Sequence, residues 1–186
     1  MVAPSRDARG DARSGSNREP SAGPGADSES ADRPDRVKVG IAEYAVADGD
    51  TELTTSGLGS CVGVALYDPD SDVAGMVHVM LPAAAGSDGP PAKFADAGVE
   101  LLLAEMERAG ADPDAIRAKI AGGSDMLDLE SDDLAVGERN VVAVENALAT
   151  AGVEVVAADV EGDGGRSLVF RGGDLQVRCR GETHTL

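Results

Sequence analysis

The 186-residue chain contains only four side chains of the cysteine and histidine types: Cys61, Cys179, His78 and His184. Cys61 ends a run of small residues, Thr54-Thr55-Ser56-Gly57-Leu58-Gly59-Ser60, and opens an apolar one, CVGVALY. A cysteine at such a loop-to-strand junction is within reach of a substrate, and backbone N–H groups of a glycine-rich loop can hold a developing oxyanion. Taken alone, Cys61 is better explained as a small buried hydrophobe, the usual fate of a free cysteine. His78 shifts that balance. It sits between Val77 and Val79 in a second apolar run, VAGMVHVML, where an imidazole must find a partner. Asp68-Pro69-Asp70-Ser71-Asp72 between the two runs is a turn signal. If Leu66 pairs with Val73 around that turn, Cys61 lies opposite His78 with Cβ atoms about 4.5–5.5 Å apart. A slip of one residue would send the two to opposite faces. A thiolate–imidazolium pair in that register offers a nucleophile and a proton donor for a leaving group. The competing reading of His78 is a histidine satisfied inside the core. Cys179 alternates with arginines as a core-facing strand residue, and His184 falls in a polar C-terminal segment; neither is given a role.

The elements that must position this pair alternate in type. Strands are expected at Val37 to Val46, Cys61 to Tyr67, Val73 to Leu81, Ala118 to Ala121, Val153 to Val160, Ser167 to Arg171 and Leu175 to Arg180. Val99, Leu102, Leu103 and Met106 define one amphipathic helix, roughly Phe94 to Ala109. Val141, Val144, Leu148 and Ala151 define a second, stopped by Gly152. Strands on both sides of two helices indicate one α/β domain, a mixed sheet packed by helices, spanning residues 37–186. Residues 1–36 hold almost no large apolar side chains and are expected to form a disordered tail without chemistry.

Composition narrows the function. The chain carries 34 acidic and 16 basic side chains, a net charge of −18. Phosphate backbones and anionic membranes would be repelled by it. No Trp, two Tyr and two Phe leave no platform for stacking bases. There is no membrane-length apolar run and no signal-peptide core, so the expected compartment is the cytoplasm. The acidic, lysine-poor character suits a halophilic-type protein working in high salt, where screening relieves self-repulsion. Phosphate-loop and dinucleotide fingerprints are missing: Gly57-Leu58-Gly59 has Val62 at the sixth position and enters a strand. The cysteines and histidines have no short ligand spacing for zinc.

The segments Thr55-Ser56-Gly57-Leu58-Gly59-Ser60-Cys61-Val62-Gly63-Val64 and Met76-Val77-His78-Val79-Met80-Leu81-Pro82 resemble the signature of the chemoreceptor glutamine deamidases, the CheD family. The likeness continues through Lys119-Ile120-Ala121-Gly122-Gly123, Gly137-Glu138-Arg139-Asn140 and Asp159 to Gly165-Arg166. Departures are Ala121, where the family often has a larger apolar residue, Ser124 for a common alanine, and Glu161 for a frequent glycine. The resemblance implies an α-β sandwich and a catalytic set of Cys61, His78 and Thr55. The implied reaction converts glutamine side chains of methyl-accepting chemoreceptors to glutamate with release of ammonia. A CheC-type phosphatase is the implied regulatory partner, and no metal or organic cofactor is called for. In chemical terms, Cys61 attacks the amide carbon and loop N–H groups hold the oxyanion. His78 protonates the departing ammonia and then activates water, and Thr55 orients its ring. The alternatives are a non-catalytic adaptor binding receptors and the CheC phosphatase, and a cysteine hydrolase of small amides or esters.

Overall fold

The computed structural model describes residues 34–84, 86, 88–125 and 135–186. Ten strands fall in two five-stranded sheets among these residues. The first sheet holds β1 (Arg36–Lys38), β3 (Glu52–Leu58), β8 (Arg166–Arg171), β9 (Asp174–Cys179) and β10 (Glu182–Thr185), in that spatial order. The second holds β2 (Tyr44–Asp48), β5 (Val73–Val79), β4 (Val62–Asp68), β6 (Arg117–Gly122) and β7 (Glu154–Val160). Each sheet is mixed: β1 with β3 and β6 with β7 are parallel, and the other pairs antiparallel. Helices α1 (Ala95–Arg108) and α2 (Val136–Thr150) cover the outer face of the second sheet. The architecture is the expected single α/β domain, resolved into a sheet–sheet–helix stack.

The apolar runs explain the stack. In β4, Val62, Val64 and Leu66 face the helices, joined by Val77 and Val79 of β5 and by Val99, Leu102, Met106, Val144 and Leu148 of the helices. The intervening Ala65, Ala74 and Met76 meet Leu53, Leu58, Leu168, Phe170, Leu175 and Val177 of the first sheet. A strand buried on both faces reads as a continuous apolar run, which is why β4 and β5 show no alternation in sequence. Val99, Leu102 and Met106 of α1 and Val141, Val144 and Leu148 of α2 are buried as their spacing requires, whereas Leu103 is half-buried and Ala151, past the end of α2, is exposed. α2 ends as expected at Gly152, whose φ of +76° belongs to the left-handed region that glycine tolerates.

Two expected elements differ. Val37 to Val46 is not one strand. It breaks at Gly40–Glu43, where the Gly40 N–H donates to the Glu43 carboxylate (2.9 Å), and its halves join different sheets. The small-residue run before Cys61 is not a loop throughout: Glu52–Leu58 is β3, opposite β8, with a bulge at Gly57 (φ +80°). The tail expected at 1–36 lies outside the described residues except for Pro34 to Arg36. Arg36 already pairs with Glu52 in β1, its Nε donating to the Glu52 carboxylate at 2.8 Å.

Candidate active site

The hairpin register needs correction. β4 and β5 pair Asp68 with Val73, Leu66 with Gly75 and Gly63 with His78, so Leu66 does not face Val73 and Cys61 does not lie directly opposite His78. The reason is the turn. Asp68 is buried, and its carboxylate accepts hydrogen bonds from the Asp70 N–H (2.9 Å), the Ser71 hydroxyl (2.6 Å) and the Asp112 N–H (2.8 Å). This carboxylate closes the hairpin at Asp68 itself, two positions beyond the pairing expected from the apolar pattern. A shift of two preserves side-chain parity. His78 therefore still projects into the layer between the sheets, on the side of Ala74 and Met76, and Cys61 packs at the edge of the same layer.

Thr55 reaches this layer from the opposite sheet. It points inward from β3 alongside Leu53, and its Oγ1 lies 2.8 Å from His78 Nδ1. The contact bridges the two sheets, and both residues are buried, at 3% and 0% exposure. The other ring nitrogen of His78, Nε2, is buried with no hydrogen-bond partner among the described residues. Hence the Cys61 thiol, though it edges the same layer, does not hydrogen-bond the ring in this conformation. Catalytic contacts are often loose until substrate tightens them.

Electrostatics revises the expected ion pair. Burial pulls His78 down from 6.5 to about 4, so the ring is neutral at neutral pH. Burial also pushes the Cys61 thiol up, opposed by a hydrogen bond from its own backbone N–H. Burial is the larger effect on the thiol. Desolvation disfavours charge on both partners, so this conformation holds a neutral thiol and a neutral imidazole, not a thiolate–imidazolium pair.

The loop carrying Cys61 is held from two sides. Its carbonyls at Gly59, Ser60 and Cys61 accept hydrogen bonds from the Ser124 N–H, the Asn140 Nδ2 and the Gly123 N–H respectively, each 2.8 Å long. Behind Ser124 stands Arg166, 6% exposed. Its guanidinium donates to the Asp159 carboxylate (2.8 Å), the Ser124 hydroxyl and the Glu161 carbonyl (2.8 Å). Asn140 and Arg166 were not singled out as site residues from sequence. The available signal was a polar residue on an apolar stripe, since Asn140, Val144 and Leu148 follow one another at four-residue spacing along α2. Cys179 lies half-buried at the end of β9 in the first sheet, beside Gly164. His184 belongs to β10 rather than to an unstructured segment, and its Nε2 lies 3.1 Å from Asp159. A groove of about 720 Å³ between α1 and α2 is lined by Ala97, Leu103 and Ala147, on the helix side, and includes none of Thr55, Cys61 or His78.

A family model described as CheD chemotactic sensory transduction matches residues 80–181, a span that starts just after His78 and includes Asn140 and Arg166. A probable chemoreceptor glutamine deamidase CheD of Haloarcula marismortui is 54% identical over 136 residues, covering 73% of this chain and 79% of that one. Proteins of the same name are 43% identical in Natronomonas pharaonis, over 83% of this chain and 95% of the relative, and 44% identical in Pyrococcus abyssi, over 77% and 90%. Likeness to solved structures is distant: the Neisseria meningitidis protein NMB0706 aligns at 11% identity with a TM-score of 0.44, over 70% of this chain and 65% of that one.

Proposed function

The chain belongs to the CheD family of chemotactic sensory transduction, and from that membership and the site geometry we propose that it is a cysteine-dependent protein-glutamine deamidase acting on chemoreceptors. The observation that carries the reading is the Thr55–His78 contact across the two sheets, which leaves Nε2, in the layer that Cys61 edges, without a partner among the described residues. Thr55 Oγ1 accepts the Nδ1–H, which keeps a lone pair on Nε2. As Cys61 Sγ attacks the glutamine amide carbon, its proton passes to Nε2. The oxyanion is held by loop N–H groups, that of Cys61 among them. Collapse breaks the C–N bond, and Nε2 returns the proton to the departing ammonia. Water then attacks the thioester, giving its proton to Nε2. The C–S bond breaks, glutamate leaves and the thiol recovers the proton. The net reaction is glutamine plus water to glutamate plus ammonia.

A neutral resting pair suits this sequence. The proton moves during attack, so the thiol need not be ionised beforehand. The same reading includes a CheC-type regulatory partner, and co-elution of the two purified proteins tests it. Ammonia release tests the activity. The protein is incubated with intact receptor, with free glutamine and with a short glutamine peptide. Release from the receptor alone supports the reading. Equal release from free glutamine assigns a small-amide hydrolase, and none from any substrate assigns the adaptor role.

A further inference from the structure

Asn140 is fully buried on the inner stripe of α2. Its Nδ2 donates two hydrogen bonds of 2.8 Å, one to the Ser60 carbonyl and one to the Met80 carbonyl. Two carbonyl acceptors identify the nitrogen end of the amide, since the flipped group would face oxygen to oxygen. The Oδ1 is buried without a partner among the described residues. An apolar residue on this stripe would avoid that unpaired acceptor, so packing alone does not account for the amide.

Both acceptors belong to the proposed chemistry. Ser60 precedes the proposed nucleophile, and Met80 follows His78 by two residues, just past the end of β5. The chain has no cis peptide bonds among the described residues, and a trans peptide points its C=O and N–H in opposite directions. Drawing the Ser60 oxygen toward α2 therefore turns the Cys61 N–H away from α2, and that N–H hydrogen-bonds the Cys61 thiol. The close approach is built in. A Cβ on Gly137 would lie 2.4 Å from the Gly123 oxygen, so the first turn of α2 rests directly on the backbone beside the nucleophile loop.

We propose that Asn140 is a positioning residue: it fixes the Ser60–Cys61 peptide so that the Cys61 N–H is aimed as the oxyanion donor, and through Met80 it locks that donor to the strand carrying His78. This deepens the deamidase reading and rests on it. Asn140→Ala and Asn140→Asp are compared with wild type for kcat and KM on receptor. The pH profile of Cys61 alkylation by iodoacetamide, read by peptide mapping without substrate, is the second readout. Val144→Ala, the next residue on the same stripe, controls for lost packing. Both Asn140 variants are expected to lose about 10- to 100-fold in kcat, the scale of a misaimed oxyanion donor, with KM within about twofold. Their alkylation profile moves to higher pH, because the thiolate loses the N–H aimed at it. Val144→Ala loses stability but keeps the wild-type kcat and profile. If Asn140→Ala does not fold, Asn140→Ser, which retains one donor, is held to the same expectations at a smaller magnitude. Wild-type kcat in the Asn140 variants, or an equal loss in Val144→Ala, overturns the proposal. If wild type releases no ammonia from receptor, the deamidase reading has failed, and an unmoved alkylation profile then separately removes the role of Asn140.

Discussion

On the helix side of the second sheet, Val62, Val64, Leu66, Val77 and Val79 meet α1 and α2 through apolar contacts. On the other side the same two strands present Ala65, Ala74 and Met76 to the first sheet, and then His78, facing Thr55. Both layers are buried. One contributes stability through apolar area, and the other carries an imidazole that burial keeps neutral. The candidate site is therefore not a polar pocket cut into the surface. It is one strand position where an apolar layer gives way to a hydrogen-bonded pair, at the edge where Cys61 enters.

Stripping each layer in turn separates their roles. Leu102→Ala, on the helix side, is expected to cost about 2–5 kcal/mol of stability while leaving kcat/KM of the folded protein near wild type. His78→Gln should lower kcat/KM about 10²- to 10⁴-fold with little loss of stability. Chemical denaturation and receptor deamidation, measured on both variants, check the contrast. If His78→Gln destabilises as much as Leu102→Ala and turns over normally, the two layers are alike and His78 is a core residue.

Between about pH 6.5 and 4, acid should act first on the inter-sheet layer. His78 takes up a proton near 6.5 in the unfolded chain but only near 4 in the fold. Between those values the unfolded chain binds the extra proton, so this contribution is complete above about pH 6.5 and lost as pH falls toward 4. The loss is on the order of 3 kcal/mol. Unfolding midpoints at pH 7 and pH 4.5 should differ by less in His78→Gln than in wild type. An equal difference in both would assign the acid sensitivity to other groups.

A finer test concerns the bridge between sheets. Thr55→Val keeps the shape and removes the hydroxyl, so it should lower kcat about tenfold, roughly the worth of one hydrogen bond, and leave KM unchanged. A change in KM alone would place Thr55 in substrate binding instead.

The helix side was legible in the sequence because its signals are periodic. Val99, Leu102 and Met106, and then Val141, Val144 and Leu148, lie on the buried faces of α1 and α2 as their spacing requires. The inter-sheet side was legible only in part. Cys61 and His78 stood out as rare types, and their shared face survived because the register error was even. That error arose because a single carboxylate, Asp68, closes the turn through hydrogen bonds that no apolar pattern encodes. β3 was hidden because Thr54, Thr55, Ser56 and Gly57 are small and polar, although Thr55 is buried. β10 was hidden because all four of its residues are exposed. Glu161, noted as a departure from a frequent glycine, has a φ of +65°, so the position does demand the left-handed conformation. Its carbonyl holds Arg166 behind the loop that carries Cys61. Glu161→Gly should gain stability, by less than about 1 kcal/mol because glycine also loosens the unfolded chain. Glu161→Ala, which keeps the strain, should gain nothing in the same thermal unfolding experiment.

Cys61, at the edge of the inter-sheet layer, is proposed as the nucleophile that converts receptor glutamine to glutamate. Mass spectrometry of receptor peptides after incubation with wild type and with Cys61→Ala tests it most directly. Selected glutamines are expected to be converted by wild type and none by Cys61→Ala, with both proteins unfolding at similar temperatures. Conversion by folded Cys61→Ala at the wild-type rate would contradict it.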